Sequence, residues 1–289
     1  MRVGVGLPNS VPGTEASVLL EWARRADTGP FTSLGVVDRV GYDCHEPMAL
    51  LAAAATVTDR AKLVTMVVIA PLRSTALLAK QAAFVDALSG GRLVLGLAVG
   101  ARTADYEAAG VDHRDRGRRL EEQLATLRDL WETGPGPRPA RPRGPDILVG
   151  GGSDVSFARV ARFADGYVHG GGPPRAFARS AERARAAWTD GGRPGKPALW
   201  GQSYFALGDE ETVRRGRDYM LDYYAFTGPF AEKIADGLLT TPLAVLQQIR
   251  GYEEAGCDEL VLLPAVADLE QLDLLAGVVA ETRVPGPAP

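Results

Sequence analysis

The chain reads as an α/β protein, a (β/α)8 barrel forming one domain over residues 1–289, on three observations. First, residues 62–100 hold two apolar β runs, 63–69 and 93–99, around an amphipathic helix at 74–88 that Ser89-Gly90-Gly91 closes. Strands apolar on nearly every residue belong to parallel sheets sheltered by helices. Second, strand and helix signals alternate along the rest of the chain and give eight strands, the barrel number. Third, Pro8-Asn9-Ser10 follows the first strand where a doubly wound sheet would carry Gly-x-Gly-x-x-Gly.

The elements follow in order. Strand one is expected at 2–7 and a helix at 14–26, with Thr14 as N-cap and Gly29-Pro30 ending it. Strand two is expected at 33–37, with a helix at 47–57 that has Pro47 in its first turn. Strands three and four are the pair described above. A polar connection, 101–116, leads to a helix at 118–131 with Leu120, Leu124, Leu127 and Trp131 at helical spacing. The Pro/Gly-rich stretch 134–145 predicts a surface connection. Strand five (146–149) precedes a helix at 153–163, and strand six (166–169) a helix at 177–188. Strand seven (198–207) leads to helices at 210–224 and 242–255, and strand eight (259–263) to a last helix at 269–281. The tail 285–289 is expected to fray.

Bulk properties narrow the function classes. With 46% apolar and 24% charged residues a sizeable core is available, and the net charge of −4 points to no nucleic acid and no anionic membrane surface. No run is long and apolar enough for a membrane span, and the N-terminus reads as a strand rather than a leader. Cys44 and Cys257 have no metal or redox spacing, so a reduced, cytoplasmic setting is expected. Cys44-His45-Glu46 has ligand chemistry, but consecutive residues seldom converge on one ion, and no metal is expected. Gly-x-Ser-x-Gly, P-loop and His-Glu-x-x-His patterns are lacking.

In a barrel the loops after the strands' C-terminal ends form the active face. The sharpest signal there is Gly150-Gly151-Gly152-Ser153-Asp154, a buried strand running into three glycines and a helix start. Such a backbone approaches an anion closely and offers it unpaired amides, which suits a phosphate; the alternative is a tight turn capped by Ser153 or Asp154. A second run, Gly170-Gly171-Gly172, follows His169, which either faces the pocket or is a satisfied polar residue. Asp38-Arg39 ends strand two, and Arg39 offers five donors but cannot act as a base near neutral pH. Arg73, Arg102 and Asp105 are further charged candidates at strand ends, for each of which a solvated surface role competes. Tyr42, Trp200, Tyr204, Phe205 and 223–226 either shape an apolar pocket or belong to the core.

These pieces resemble the bacterial luciferase-like superfamily of flavin- or deazaflavin-dependent oxidoreductases. The resemblance rests on residues 1–8, Asp38, Glu46-Pro47, Pro71-Leu72-Arg73, Leu78-Ala79-Lys80-Gln81 and Leu88-Ser89-Gly90-Gly91-Arg92-Leu93. It continues through Gly117-Arg118-Arg119, Leu130-Trp131, Gly150-Gly151, Ala164-Asp165-Gly166-Tyr167 and Ala255-Gly256-Cys257-Asp258-Glu259. It implies a (β/α)8 (TIM) barrel with FMN or the deazaflavin coenzyme F420 across the active face. It also implies a non-proline cis bond at Met66–Val67 against the ring, further ring contacts from Thr65, Gly100 and Ala101, and the phosphate on 150–154. Relatives that oxidise alcohols carry Asp-His at the end of strand two. Here Asp38-Arg39 stands there, which argues against that base and leaves hydride transfer to an activated alkene or imine, or oxygen insertion with reduced FMN.

The expectation is therefore an oxidoreductase or monooxygenase acting on a small organic molecule. Asp38 and Arg39 are its catalytic candidates, and Arg73, Arg102, His169, Tyr42 and Tyr204 line the substrate side. NAD(P)H as reductant, a flavin reductase and a homodimer, the last through the Ala-rich stretch 49–55, complete the implied partners. Two alternatives stand beside it: a non-catalytic flavin-binding barrel, and a flavin-free barrel acting on a phosphorylated metabolite. The latter needs a pocket Lys or Glu, and Lys62, Lys80, Lys196 and Lys233 all fall at strand starts, on helices or in loops.

Overall fold

The computed structural model describes residues 1–281. The expected fraying of 285–289 lies outside the described residues. Among the described residues nine parallel strands form one sheet: β1 (Arg2–Gly6), β2 (Ser33–Val36), β3 (Lys62–Thr65), β4 (Val68–Ile69), β5 (Leu93–Ala98), β6 (Asp146–Gly150), β7 (Gly166–Val168), β8 (Ala198–Phe205) and β9 (Glu259–Pro264). They pair in the order β3-β2-β1-β9-β8-β7-β6-β5-β4, and β3 also pairs with β5, so the sheet closes. Because β3 and β4 share one position in the wall, the closed sheet is an eight-stranded parallel barrel, as expected.

Strand three is not the continuous run the sequence suggests. Val64 pairs with Val94 and Val68 with Leu97, so four steps along β3–β4 face three along β5. The extra residue makes a bulge. It falls at the Met66–Val67 peptide, which is cis, as the resemblance implied. Gly96 makes room on β5: a Cβ there would lie 2.2 Å from the Thr65 carbonyl oxygen.

Helices cover the barrel: α1 (Ala16–Thr28), α2 (Pro47–Ala55), α3 (Thr75–Leu88), α4 (Thr103–Ala108), α5 (Arg116–Glu132), α6 (Asp154–Phe163), α7 (Pro174–Asp190), α8 (Glu210–Tyr223), α9 (Phe230–Ala235), α10 (Pro242–Glu254) and α11 (Glu270–Glu281). Two short helices are not among the expected elements: α4, inside the polar connection 101–116, and α9. Each has six residues, too few for a period to show. Thr14 is not the N-cap of α1; Glu15 is, and the Thr14 hydroxyl donates to the Val11 carbonyl at 2.6 Å. The stretch 134–145 contains no helix or strand, and Asp86 fixes it by accepting from the Ala140 N–H at 3.0 Å.

The core has two layers. The outer one joins the helices to the barrel through Trp22, Leu51, Leu127, Trp131 and Phe177. The inner one fills the barrel with Val64, Met66, Val94, Leu148, Trp200 and Val261, then passes upward into Tyr204, Tyr219, Met220 and Tyr223. The α8 helix thus crosses the C-terminal mouth and packs its aromatic face onto the barrel contents.

Candidate active site at the barrel mouth

The loops after β1 and β2 are fastened together first. Asn9, 1% exposed, donates to the Val37 carbonyl at 2.8 Å and accepts from the Val37 N–H at 3.1 Å. This fixes the backbone that presents Asp38 and Arg39. Asp38 accepts from Arg73 Nη2 and from the Ile69 N–H, both at 2.9 Å. Arg73 Nη1 reaches Glu46 at 2.6 Å, and the second Glu46 oxygen caps α2 by accepting from the Ala49 N–H. Burial pushes the Asp38 carboxyl above its ordinary range, against the pull of Arg73 and the Ile69 N–H.

Arg39 turns the other way. Its Nε donates to Asp105 Oδ2 at 2.9 Å, and the two side chains are 7% and 1% exposed. Asp105 Oδ1 accepts from the N–H groups of Val40 and Gly41 at 3.0 and 2.9 Å. The Arg39 guanidinium lies 4.9 Å from the Tyr223 ring centre and 5.4 Å from that of Phe226. Its Nη2 is buried without a partner.

Around these groups lies a cavity of about 150 Å³, walled by Val37, Met66, Val67, Gly100, Arg102 and Tyr224 together with Asp38, Arg39, Ile69, Ala101, Asp105, Tyr223 and Phe226. A second hollow, about 390 Å³, adjoins it and shares Ala101, Arg102 and Phe226; Tyr42 and Asp222 stand on its wall. The Tyr42 hydroxyl donates to Asp222 at 2.5 Å. Arg102 donates to the Tyr223 carbonyl, tying the loop after β5 to the end of α8.

The sequence candidates therefore divide. Asp38, Arg39, Met66, Val67, Gly100, Ala101 and Arg102 meet at one cavity, and Tyr42 joins them at the outer hollow. Arg73 stands behind Asp38 and is spent on two carboxylates. Thr65 is fully buried behind the wall, its hydroxyl given to the Gly96 carbonyl at 2.7 Å. Tyr204 lies beneath the mouth in a tyrosine cluster, with the Tyr224 hydroxyl 3.4 Å away.

Gly150–Asp154 and His169 lie outside that wall, at the ends of β6 and β7. Ala98 and Gly150 are across-strand neighbours, 3.5 Å from a Cβ built on Gly150 to the Ala98 Cβ, so the Gly100 and Gly151 loops leave adjacent strands. Gly151 has φ +135°, and a Cβ there would meet Ser156 Oγ at 2.3 Å; at Gly152 it would meet nothing within 4 Å. Ser153 caps α6 by accepting from the Ser156 N–H at 3.3 Å. Arg183 on α7 reaches this loop, donating to the Gly152 carbonyl at 2.9 Å and to Asp154 at 2.6 Å. Nothing in the sequence singled out Arg183, which is one of several arginines on a polar helix face. His169 contacts the Tyr167 hydroxyl through Nδ1 at 3.2 Å and has its Nε2 buried without a partner; burial lowers its pKa.

Cys44, His45 and Glu46 diverge: the His45 ring bonds the Thr14 carbonyl, and burial pushes the Cys44 thiol up to about 12. No group of three or more potential metal ligands occurs among the described residues. Nor is any described helix long and apolar enough to cross a membrane.

Residues 1–259 match the luciferase-like monooxygenase family. The chain belongs to that family. Within 217 residues it is 35% identical to Rv0940c, an uncharacterized protein of Mycobacterium tuberculosis (strain ATCC 25618 / H37Rv), covering 62% of this chain and 74% of that one. An F420-dependent secondary alcohol dehydrogenase, solved with an F420-acetone adduct, superposes with a TM-score of 0.81 at 16% identity, over 98% of this chain and 100% of that one. The oxygenating constituent of 3,6-diketocamphane monooxygenase from Pseudomonas putida, solved with FMN, superposes with a TM-score of 0.74 at 18% identity, over 99% and 100%. At these identities the two superpositions bear on the fold alone. The expected family membership and barrel hold.

Proposed function

We propose that this luciferase-like protein is an oxidoreductase that binds a flavin or deazaflavin coenzyme across the barrel mouth and uses it on a small organic substrate. One observation carries the reading: an apolar-floored cavity beside Gly100 and a glycine-rich helix start at Gly151 follow adjacent strands, so one ring-plus-phosphate ligand spans them. Met66, Val67 and Ile69 offer the ring an apolar face, and Gly100 and Ala101 leave room at its edge. The open space at Gly152, the α6 amides ahead of the capped Ser156 N–H and the nearby Arg183 suit the phosphate. Solved relatives in the fold carry F420 in one case and FMN in the other, which supports this class of group.

The bound coenzyme supplies hydride transfer or, with FMN, oxygen chemistry; the protein supplies position and electrostatics. Arg39, held by Asp105, sets a fixed positive charge at the cavity wall. Asp38, held by Arg73 and the Ile69 N–H, fixes the backbone beside the cavity floor. Tyr223 at the end of α8 and Tyr224 just after it form part of the cavity wall and offer it aromatic surface. His169 lies at the phosphate side.

A homodimer is proposed through α3, where Leu77, Phe84 and Leu88 stand 62%, 54% and 41% exposed beside α2. A reduced cytoplasmic setting is proposed from the two free thiols, Cys44 and Cys257. NAD(P)H, directly or through a flavin reductase, is the proposed source of reducing equivalents. Turnover by the purified protein, supplied with reduced FMN or reduced F420 against a panel of ketones, alkenes and imines, tests the reading. Binding of neither coenzyme rejects it.

A further inference from the structure

We propose that Arg39 and Arg102 together receive the carboxylate of an organic-acid substrate, its apolar body lying in the outer hollow against Phe226. This rests on the active-site reading above and names the substrate class for it.

The two guanidinium groups flank one ring: their carbons lie 5.4 Å (Arg39) and 4.6 Å (Arg102) from the Phe226 centre. Both keep unused donors. Arg39 Nη2 and Arg102 Nε are buried and unpartnered, and the Arg39 side chain is only 7% exposed. Arg102 makes no ion pair with a carboxylate among the described residues; it donates to the Tyr223 carbonyl. The acids of the wall are already committed. Asp105 accepts from Arg39 Nε and two backbone N–H groups, and Asp38 accepts from Arg73 and the Ile69 N–H. The pocket therefore holds a buried guanidinium N–H on each arginine with no acceptor. Such donors are costly until an acceptor arrives, and a carboxylate brings two oxygens with about four lone-pair sites.

Arg102 belongs to the walls of both hollows, so the carboxylate sits at their junction. From there the larger hollow accepts the rest of the molecule between Tyr42, Ala104, Ala225 and Phe226. Asp222 stands on the same wall, holding the Tyr42 hydroxyl. It would repel a second negative charge, so the site selects a monocarboxylate.

The test is calorimetric titration of the full-length protein with benzoate and with hexanoate, each against its primary amide. The Arg102→Gln and Arg102→Lys variants are treated identically. Gln keeps an amide N–H donor and removes the charge; Lys keeps the charge. The acids should bind about tenfold tighter than their amides or better, Arg102→Gln should erase most of that preference, and Arg102→Lys should keep much of it. Equal binding of acid and amide, no binding of either acid, or a preference untouched by Arg102→Gln overturns the proposal. Parallel titration of the same samples with FMN and F420 separates the two claims. Coenzyme binding without acid preference defeats only the carboxylate site, and acid preference without coenzyme binding defeats only the proposed function.

Discussion

Asp105 Oδ2 accepts from Arg39 Nε at 2.9 Å across 66 residues of sequence, joining the loops that leave β2 and β5. Removing either partner leaves a buried charge uncompensated, and Asp105 also holds two backbone N–H groups. Asp105→Ala should cost about 3–5 kcal/mol, and Asp105→Ala combined with Arg39→Ala clearly less than the sum of the two single losses. Urea unfolding of the three variants measures this. Strictly additive losses would mean the pair is not coupled.

The phosphate cradle is best tested at Gly152 rather than Gly151. A side chain at Gly151 is strained by its φ of +135° and collides with Ser156, so Gly151→Val should lose about 1–3 kcal/mol of stability as well as coenzyme affinity. Gly152→Leu enters open space, so stability should stay within about 0.5 kcal/mol. Its coenzyme affinity should fall about 100-fold as the amide cradle is covered. Undiminished affinity in folded Gly152→Leu would remove the phosphate from this loop.

Gly96 is required by the close approach of β3. A methyl group would lie 2.2 Å from the Thr65 carbonyl oxygen, a backbone atom that cannot swing away. Gly96→Ala should cost about 1–3 kcal/mol and displace the Met66–Val67 floor. Thermal melts and coenzyme titration read both effects, and an unchanged melt would show that the strand yields.

His169 makes stability depend on pH. Burial depresses its folded pKa below the ordinary 6.5, so between those two values the unfolded chain binds more protons. Its contribution is complete above about pH 6.5 and is lost as pH falls from there toward the folded value. His169→Phe should flatten the melting temperature across that window relative to the parent. A parallel pH dependence in both proteins would assign the slope elsewhere.

The barrel was legible because its strands are apolar on both faces and its helices long enough to show a period. The turn from β6 into α6 was legible because an apolar strand runs into three glycines and a serine, and Ser153 caps the helix. Met66–Val67 was placed by resemblance; the apolar run 63–69 carries no local mark of the bulge, whose necessity appears only when Gly96 on the neighbouring strand is seen beside it. Arg73 was legible as a charge at a strand end, but its engagement with Asp38 and Glu46 depends on how three loops meet. Thr65 and Tyr204 were expected at the site and lie behind or beneath it, because which face a residue presents is set by the bulge in one case and by α8 packing in the other. Arg183 left no sequence signal, since only the packing of α7 on α6 brings it to the glycine loop.

The most direct test of the central claim is equilibrium titration of the full-length protein with oxidised FMN and with oxidised F420, followed by fluorescence. The account predicts saturable one-to-one binding of at least one of them, about 100-fold weaker in Gly152→Leu. Binding of neither, or binding that ignores Gly152→Leu, would contradict it.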